Sequence, residues 1–309
     1  MFHRLPVELV CDVVQIAASY SLQTSVSGAL ELTLVSSTVR AAVLPVVYHT
    51  LLITTRNLDR LSLVGRGLQY VSRLFVAKDV DDMDQFVVLL RQCIKLEWLE
   101  ATWQVIAALE QAPLVHATKI SFRYQSLKSV TRLPATTAQH VTHIEGYIFP
   151  FSFGVESGPK IWVERLLESL PVLTHVGLTL ASADAQTVSD FMPSHVLYLL
   201  ATLRAFLWTK EGEGRKAAPT GVERIVLHIC GVWVDPAPWS FLSRRIKDEL
   251  MHEARQFDTI ADGGVEERRV YVWTDQRQFL AWDEEESHRA DDAMTKVNVW
   301  DMGIPLAEV

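Results

Sequence analysis

The chain has 309 residues, 49% of them hydrophobic and 21% charged, enough apolar material for one large folded unit or two small ones and too much for a disordered polypeptide. Its 29 basic and 37 acidic residues give a formal charge of −8, the wrong sign for a chain whose main partner is nucleic acid or an anionic membrane. Cys11, Cys93 and Cys230 lie far apart with no CxxC spacing, which argues against a disulfide framework or a structural zinc site and for a reducing compartment. The opening residues lack the basic-then-apolar order of a secretory signal, and no span approaches about 18 uninterrupted apolar residues. An intracellular protein with no membrane span is expected.

In chain order, Leu5-Pro6-Val7-Glu8-Leu9-Val10, continuing through Val13, Val14 and Ile16, carries the spacing of an apolar helix. A Ser/Thr-rich segment, 19–28, separates it from Leu30, Leu32, Leu34-Val35-Ser36, Val39-Arg40 and Leu44, read as a second helical stretch. Short segments that alternate polar and apolar residues then recur, which predicts strands. Their first apolar residues are Leu74, Leu99, Ile120, Ile144 and Val176, at steps of 25, 21, 24 and 32 residues. Between them, Asp84–Cys93, Trp103–Glu110 and Ile161–Leu170 place apolar residues three and four apart, as the buried face of a helix requires. A strand plus one helix at this period is the unit of a solenoid, in which stacked repeats bury what one repeat cannot.

Beyond Val176 the pattern continues at Phe206 (a weak copy), Ile225 and Val270, at steps of 30, 19 and 45 residues. The array is therefore expected to be irregular after about residue 180. Lys210–Thr220 reads as a loop, Ser240–Phe257 as a helix, and Gln276–Met294 as an acidic helix closing the end of the stack. Seven acidic and two basic side chains fall between Asp275 and Asp292.

The Leu-Pro-x-Glu-Leu opening, its amphipathic helix and the Leu-Val-Ser stretch with a following basic residue resemble an F-box. The link from Leu44 to Ile53 resembles the entry into a leucine-rich array, and the whole chain resembles the F-box-like proteins with degenerate leucine-rich repeats of mushroom-forming fungi. The resemblance implies an α/β fold in two parts: an F-box-like helical segment, 1–55, and a leucine-rich-repeat-like solenoid, 56–309, with parallel strands on the concave side. It also implies the role of substrate-recognition subunit in a Skp–cullin–F-box ubiquitin ligase. Leu5, Pro6, Leu9, Val13, Leu34, Val35 and Val39 would meet the Skp-type adaptor, and the repeats would bind an unknown target protein. Typical leucine-rich repeats place an Asn after the strand, and this chain has only Asn57 and Asn298, so its repeats are leucine-rich-like rather than standard.

The alternative is a repeat-only interaction scaffold whose opening segment merely caps the stack, since an open end exposes apolar surface. Burial separates the two: docking requires Leu5, Leu9, Val13 and Val35 to be exposed, and capping packs them against the first repeat. Nine tryptophans exceed the needs of a core this size, and Trp98, Trp208 and Trp273, in or beside predicted strands, are candidate anchors for a target, core packing being the other reading of each.

Enzyme chemistry finds no support in the residue pattern, and neither a cofactor nor a metal is expected. Gly154-Val155-Glu156-Ser157-Gly158 is not a nucleophile elbow, and Gly212-Glu213-Gly214-Arg215-Lys216 lacks the Walker spacing. Asp79, Asp81, Asp82 and Asp84 lack the Gly and Glu of a calcium loop and suit a helix start instead. His143 and His175 share a Thr-His position, which places them side by side on adjacent strands, without the further ligands zinc needs.

Overall fold

The computed structural model describes residues 6–22, 25–54, 57–61, 64–76, 80–126, 133–147, 159–182, 198–199, 201–203, 205–206, 208–209, 218–219, 221–231, 248, 270–275, 300 and 304–305. The chain forms two compact units, one of residues 1–117 with 286–296 and one of 118–285 with 297–309. The expected loop at 210–217, most of the helix expected at 240–257, and the acidic segment 276–294 lie outside the described residues.

The first unit opens with three helices, α1 (Val7–Leu22), α2 (Val26–Leu32) and α3 (Ser37–Val47). Ala18, Ala29, Val39, Val43 and Val47 form their shared core, with Val14, Leu22, Leu32, Val46 and Tyr48 packed around it. Leu34-Val35-Ser36, expected within a helix, is instead the turn between α2 and α3. Ser36 stops helical continuity by acting as an N-cap: its side chain accepts the Val39 N–H at 3.1 Å.

Three parallel strands follow in sequential order, β1 (Thr50–Ile53), β2 (Arg73–Val76) and β3 (Trp98–Ala101). Between them lie α4 (Leu58–Leu61), a 3₁₀ turn at Gly65–Tyr70 and α5 (Met83–Leu90), and α6 (Trp103–Ala107) follows β3. Asp82 caps α5, accepting the Gln85 N–H at 2.9 Å, as the acidic run before it led one to expect. Asn57 contributes more than its isolation in the sequence suggested. It donates to the Leu52 carbonyl and accepts from the Thr54 N–H, both at 2.8 Å, tying off the backbone where β1 ends.

In the second unit, β4 (Lys119–Ser126), α7 (Ala135–Ala138), β5 (His143–Tyr147), α8 (Pro159–Ser169) and β6 (His175–Ser182) precede a two-residue pair, β7 (Trp208–Thr209) with β8 (Ala218–Pro219). Next come β9 (Arg224–Gly231), β10 (Val270–Asp275) and β11 (Ile304–Pro305). The strand order is β4-β5-β6-β9-β10-β11, parallel except for the antiparallel last pair, and the sheet does not close on itself. The fold is thus α/β, with a helical amino-terminal part and parallel strands alternating with helices.

The expected strand anchors fall in register, Leu74 and Leu99 in the first unit and Ile120, Ile144, Val176, Ile225 and Val270 in the second, and Leu51 of β1 joins the row beside Leu74. All but Leu51 are buried. Three of the strands are entered through apolar residues three apart, Leu68-Val71-Leu74, Ala138-Val141-Ile144 and Leu170-Leu173-Val176, all buried. Their backbone turns by i to i+3 bonds, such as Val71 N–H to Leu68 O at 3.1 Å and Leu173 N–H to Leu170 O at 3.1 Å. At each entry one carbonyl then receives two N–H groups from the next repeat, as when Thr142 O accepts from Thr174 and His175, and Thr174 O from Glu223 and Arg224. The copy at Phe206 is not a strand. Ala205 and Phe206 are helical, Phe206 is buried against Trp162, and β6 pairs directly with β9.

Candidate functional site

Helix α1 is apolar on two sides. One side carries Val14, Ala18 and Leu22 into the three-helix core. The other carries Leu9, Val13, Ile16 and Tyr20, spaced four, three and four, which at about 100° per residue fall on one narrow stripe roughly opposite the first. These four are 49%, 61%, 70% and 72% exposed. A helix with core packing on one side is ordinarily polar on the other, so this second apolar stripe is exposed apolar surface beyond what the three-helix core uses.

The α2–α3 turn adds to this exposure. Leu34 and Val35 are 75% and 69% exposed, yet their backbone is fixed, with N–H bonds to Glu31 O at 3.0 Å and Leu32 O at 3.2 Å. Arg40 Nε donates to Thr33 O at 3.0 Å and holds the turn to α3. The apolar side chains therefore project from a pinned frame.

Of the seven adaptor-facing residues expected from the sequence, Leu9, Val13, Leu34 and Val35 are exposed, as is Pro6, whose carbonyl accepts the Val10 N–H at 3.2 Å to open α1. Leu5 lies outside the described residues. Val39 is a correction: it points into the three-helix core and is buried, because the capped start of α3 turns that position inward. Ile16 and Tyr20 belong to the stripe too. The four-three-four spacing was available to find them.

The tryptophan candidates fare differently. Trp98 is buried, edge-on to Phe75 at 5.4 Å between ring centroids, with the Arg73 guanidinium 5.4 Å from its ring. It is a packing residue here and has no free surface to offer a target. Trp208 lies in β7 and Trp273 in β10, opposite His228; their side chains are outside the described residues.

The second unit gathers polar groups on the strand face opposite the anchors. Lys119, His143, His175 and Arg224 stand in one register row. The two imidazoles stack at 4.1 Å with 13° between their planes, as the repeated Thr-His pair led one to expect. Thr142 Oγ1 donates to Thr118 O at 3.3 Å and Thr174 Oγ1 to Thr142 O at 3.1 Å. Each hydroxyl has one proton, so His143 Nδ1 (2.8 Å) and His175 Nδ1 (2.9 Å) donate to the hydroxyl oxygens beside them. Burial, then the neighbouring His175 and Lys119, press the His143 pKa down to about 3, so this ring is neutral at physiological pH. One row on, the buried Glu145 accepts from Ser121 Oγ at 2.8 Å and Thr179 Oγ1 at 3.5 Å.

One further aromatic sits on this face, and sequence reasoning missed it. Trp300 is buried, its Nε1 donates to Ile144 O at 3.3 Å, and its ring meets that of His143 at 5.1 Å and 80°. Lys119 Nζ lies 5.8 Å from the ring centroid. A lone Trp beyond an acidic run has no local periodicity to betray a contact with a strand 156 residues away.

Among the described residues, no three His, Cys, Asp or Glu side chains come together to hold a metal, and no helix is long and apolar enough to cross a membrane. No family model matches the chain, and no curated protein matches its sequence.

Proposed function

We propose that this chain is the substrate-recognition subunit of a Skp–cullin–F-box type ubiquitin ligase. In this reading α1–α3 form an F-box-like segment that docks on the adaptor inside the cell, and the strand units form a leucine-rich-repeat-like solenoid that binds a target protein. The chain itself performs no catalysis; the recruited ligase does. The single observation that carries this reading is the outward stripe of Leu9, Val13, Ile16 and Tyr20, with Leu34 and Val35 on the adjoining turn. Each such side chain contributes about 1.5–3 kcal/mol when fully removed from water, so a partner groove that covered several would bind firmly.

The repeat-only scaffold keeps one observation in its favour. Helix α3 packs on the 3₁₀ turn Gly65–Tyr70, and a side chain at Gly67 would meet the Tyr48 ring at 2.9 Å, so the helical segment does cover the first repeat. That contact uses α3, leaving the α1 stripe uncovered. Capping and docking are served by different helices. The test is co-purification of the tagged chain with a Skp-type adaptor: the intact protein retains it and Leu9→Asp releases it while both unfold at the same temperature. Equal adaptor capture by the two proteins, or none by either, sinks the proposal.

A further inference from the structure

Among the described residues, β1 begins the strand order and pairs on one side only, with β2. In a parallel ladder alternate residues turn both backbone groups to the same side. His49 O accepts the Arg73 N–H at 2.9 Å and Thr50 lies opposite Arg73, so residues 49, 51 and 53 bond toward β2. The N–H and C=O groups of Thr50, Leu52 and Thr54 therefore point to the outer edge. An edge of this kind is a template for a strand from another chain.

The side chain of Asn57 occupies that edge. Its Nδ2 donates to Leu52 O and its Oδ1 accepts the Thr54 N–H, both at 2.8 Å, while its own N–H donates to Thr54 O at 3.2 Å. A residue of a neighbouring parallel strand set opposite Ile53 would make the same two outer bonds, from its N–H to Leu52 O and from the Thr54 N–H to its C=O. The carboxamide thus stands in for one residue of a strand beyond β1. Helix α4 holds it there: Asn57 O accepts the Leu61 N–H at 3.0 Å, and Leu58 and Leu61 are buried. The residue type matters, because an ionised Asp has no donor for Leu52 O and an aliphatic side chain has neither group.

What the carboxamide keeps out follows from the strand's own composition. Thr50-Leu51-Leu52-Ile53-Thr54-Thr55 is six uncharged residues without Pro or Gly, the type of segment that pairs with copies of itself. We propose that Asn57 is an edge stop, which closes the flank of β1 against the β1 of a second copy of this chain. With Asn57 in place, only the Thr50 groups and the Leu52 N–H are left for a guest, too short a stretch to hold a strand. The inference concerns the first unit's sheet and does not depend on the adaptor role.

Two measurements test it. On the unmodified chain, amide hydrogen exchange should find the Thr54 N–H protected although it faces outward, and the Leu52 N–H exchanging at least about tenfold faster than those of Leu51 and Ile53. Equal protection of Leu52 and its neighbours overturns the edge assignment. Light scattering on size-exclusion fractions then gives the mass of the full-length chain, of Asn57→Ala and of Asn57→Ala/Leu52→Pro across a concentration series, with a thermal melt of each. The expected mass of Asn57→Ala climbs with concentration to at least twice the parent's. The double variant should return to the parent's mass, because Pro removes the outward Leu52 N–H and leaves the bonds to β2 in place. The proposal is overturned if Asn57→Ala keeps the parent's mass throughout, or if the double variant assembles as the single one does. Loss of the cooperative melt in either variant overturns it too, since neither change touches a bond between β1 and β2.

Discussion

The amino-terminal helices and the strand repeats spend their apolar residues in opposite ways. In the repeats the register anchors from Leu74 to Val270 are all buried, and Leu74, Ile144 and Val176 each continue a turn of buried apolar residues three apart. In α1 Val14, Ala18 and Leu22 face the shared core while Leu9, Val13, Ile16 and Tyr20 face outward. A helix needs only one apolar side to stay folded, so the second is surplus to stability, and the proposed docking role is what would account for it. Within one chain, burial thus distinguishes residues that hold the fold from residues that offer a surface.

That contrast yields graded expectations. The largest effect belongs to the anchors: Leu99→Ala or Ile144→Ala removes a fully buried side chain and should cost about 2–5 kcal/mol in chemical denaturation. Val39→Asp should be as damaging, because it buries a charge in the three-helix core. Ile16→Asp or Leu34→Asp, on the outward side, should shift stability by no more than about 0.5 kcal/mol and act on partner binding alone. Equal destabilisation by Val39→Asp and Ile16→Asp would erase the distinction between the buried and outward sides of the helical segment.

Smaller effects sharpen it. His143 is held below its ordinary pKa of 6.5, to about 3, so the unfolded chain binds the extra proton first. Its contribution is complete above about pH 6.5 and is lost progressively as the pH falls toward 3. His143→Gln should flatten the acid limb of a stability–pH curve measured between those limits, and an unchanged slope would show that another group sets it. Cys93 is buried, donates to Leu89 O at 3.6 Å, and has its thiol pushed up to about 12, so it should resist alkylation at pH 8 while the half-buried Cys11 reacts. Ser36→Ala, which removes the cap of α3, should cost about 1 kcal/mol in a thermal melt.

Much of the repeat array was legible because parallel strands impose one pattern on every copy. Polar-polar-apolar segments located β2 to β6, β9 and β10, and the shared Thr-His pair anticipated the His143–His175 stack. The error at Phe206 has a physical origin: the largely apolar run from Val196 to Trp208, broken only by Thr202 and Arg204, carries no clear period, so strand and buried helix could not be told apart. Trp98 was placed on its strand correctly, but alternation assigns a face and says nothing about what covers it. Val39 was misassigned for a related reason, since the turn at Leu34–Val35 rotates α3 relative to a continuous helix. Trp300 had no local signal at all, and the contacts it makes with Ile144, His143 and Lys119 are long-range.

The most direct test of the docking claim is capture of a Skp-type adaptor by the full-length chain and by Ile16→Asp, with thermal unfolding recorded on both. The outward stripe predicts capture by the parent, its loss in the variant, and superimposable melts. Adaptor retained by Ile16→Asp, or a melt collapsed along with binding, would contradict it.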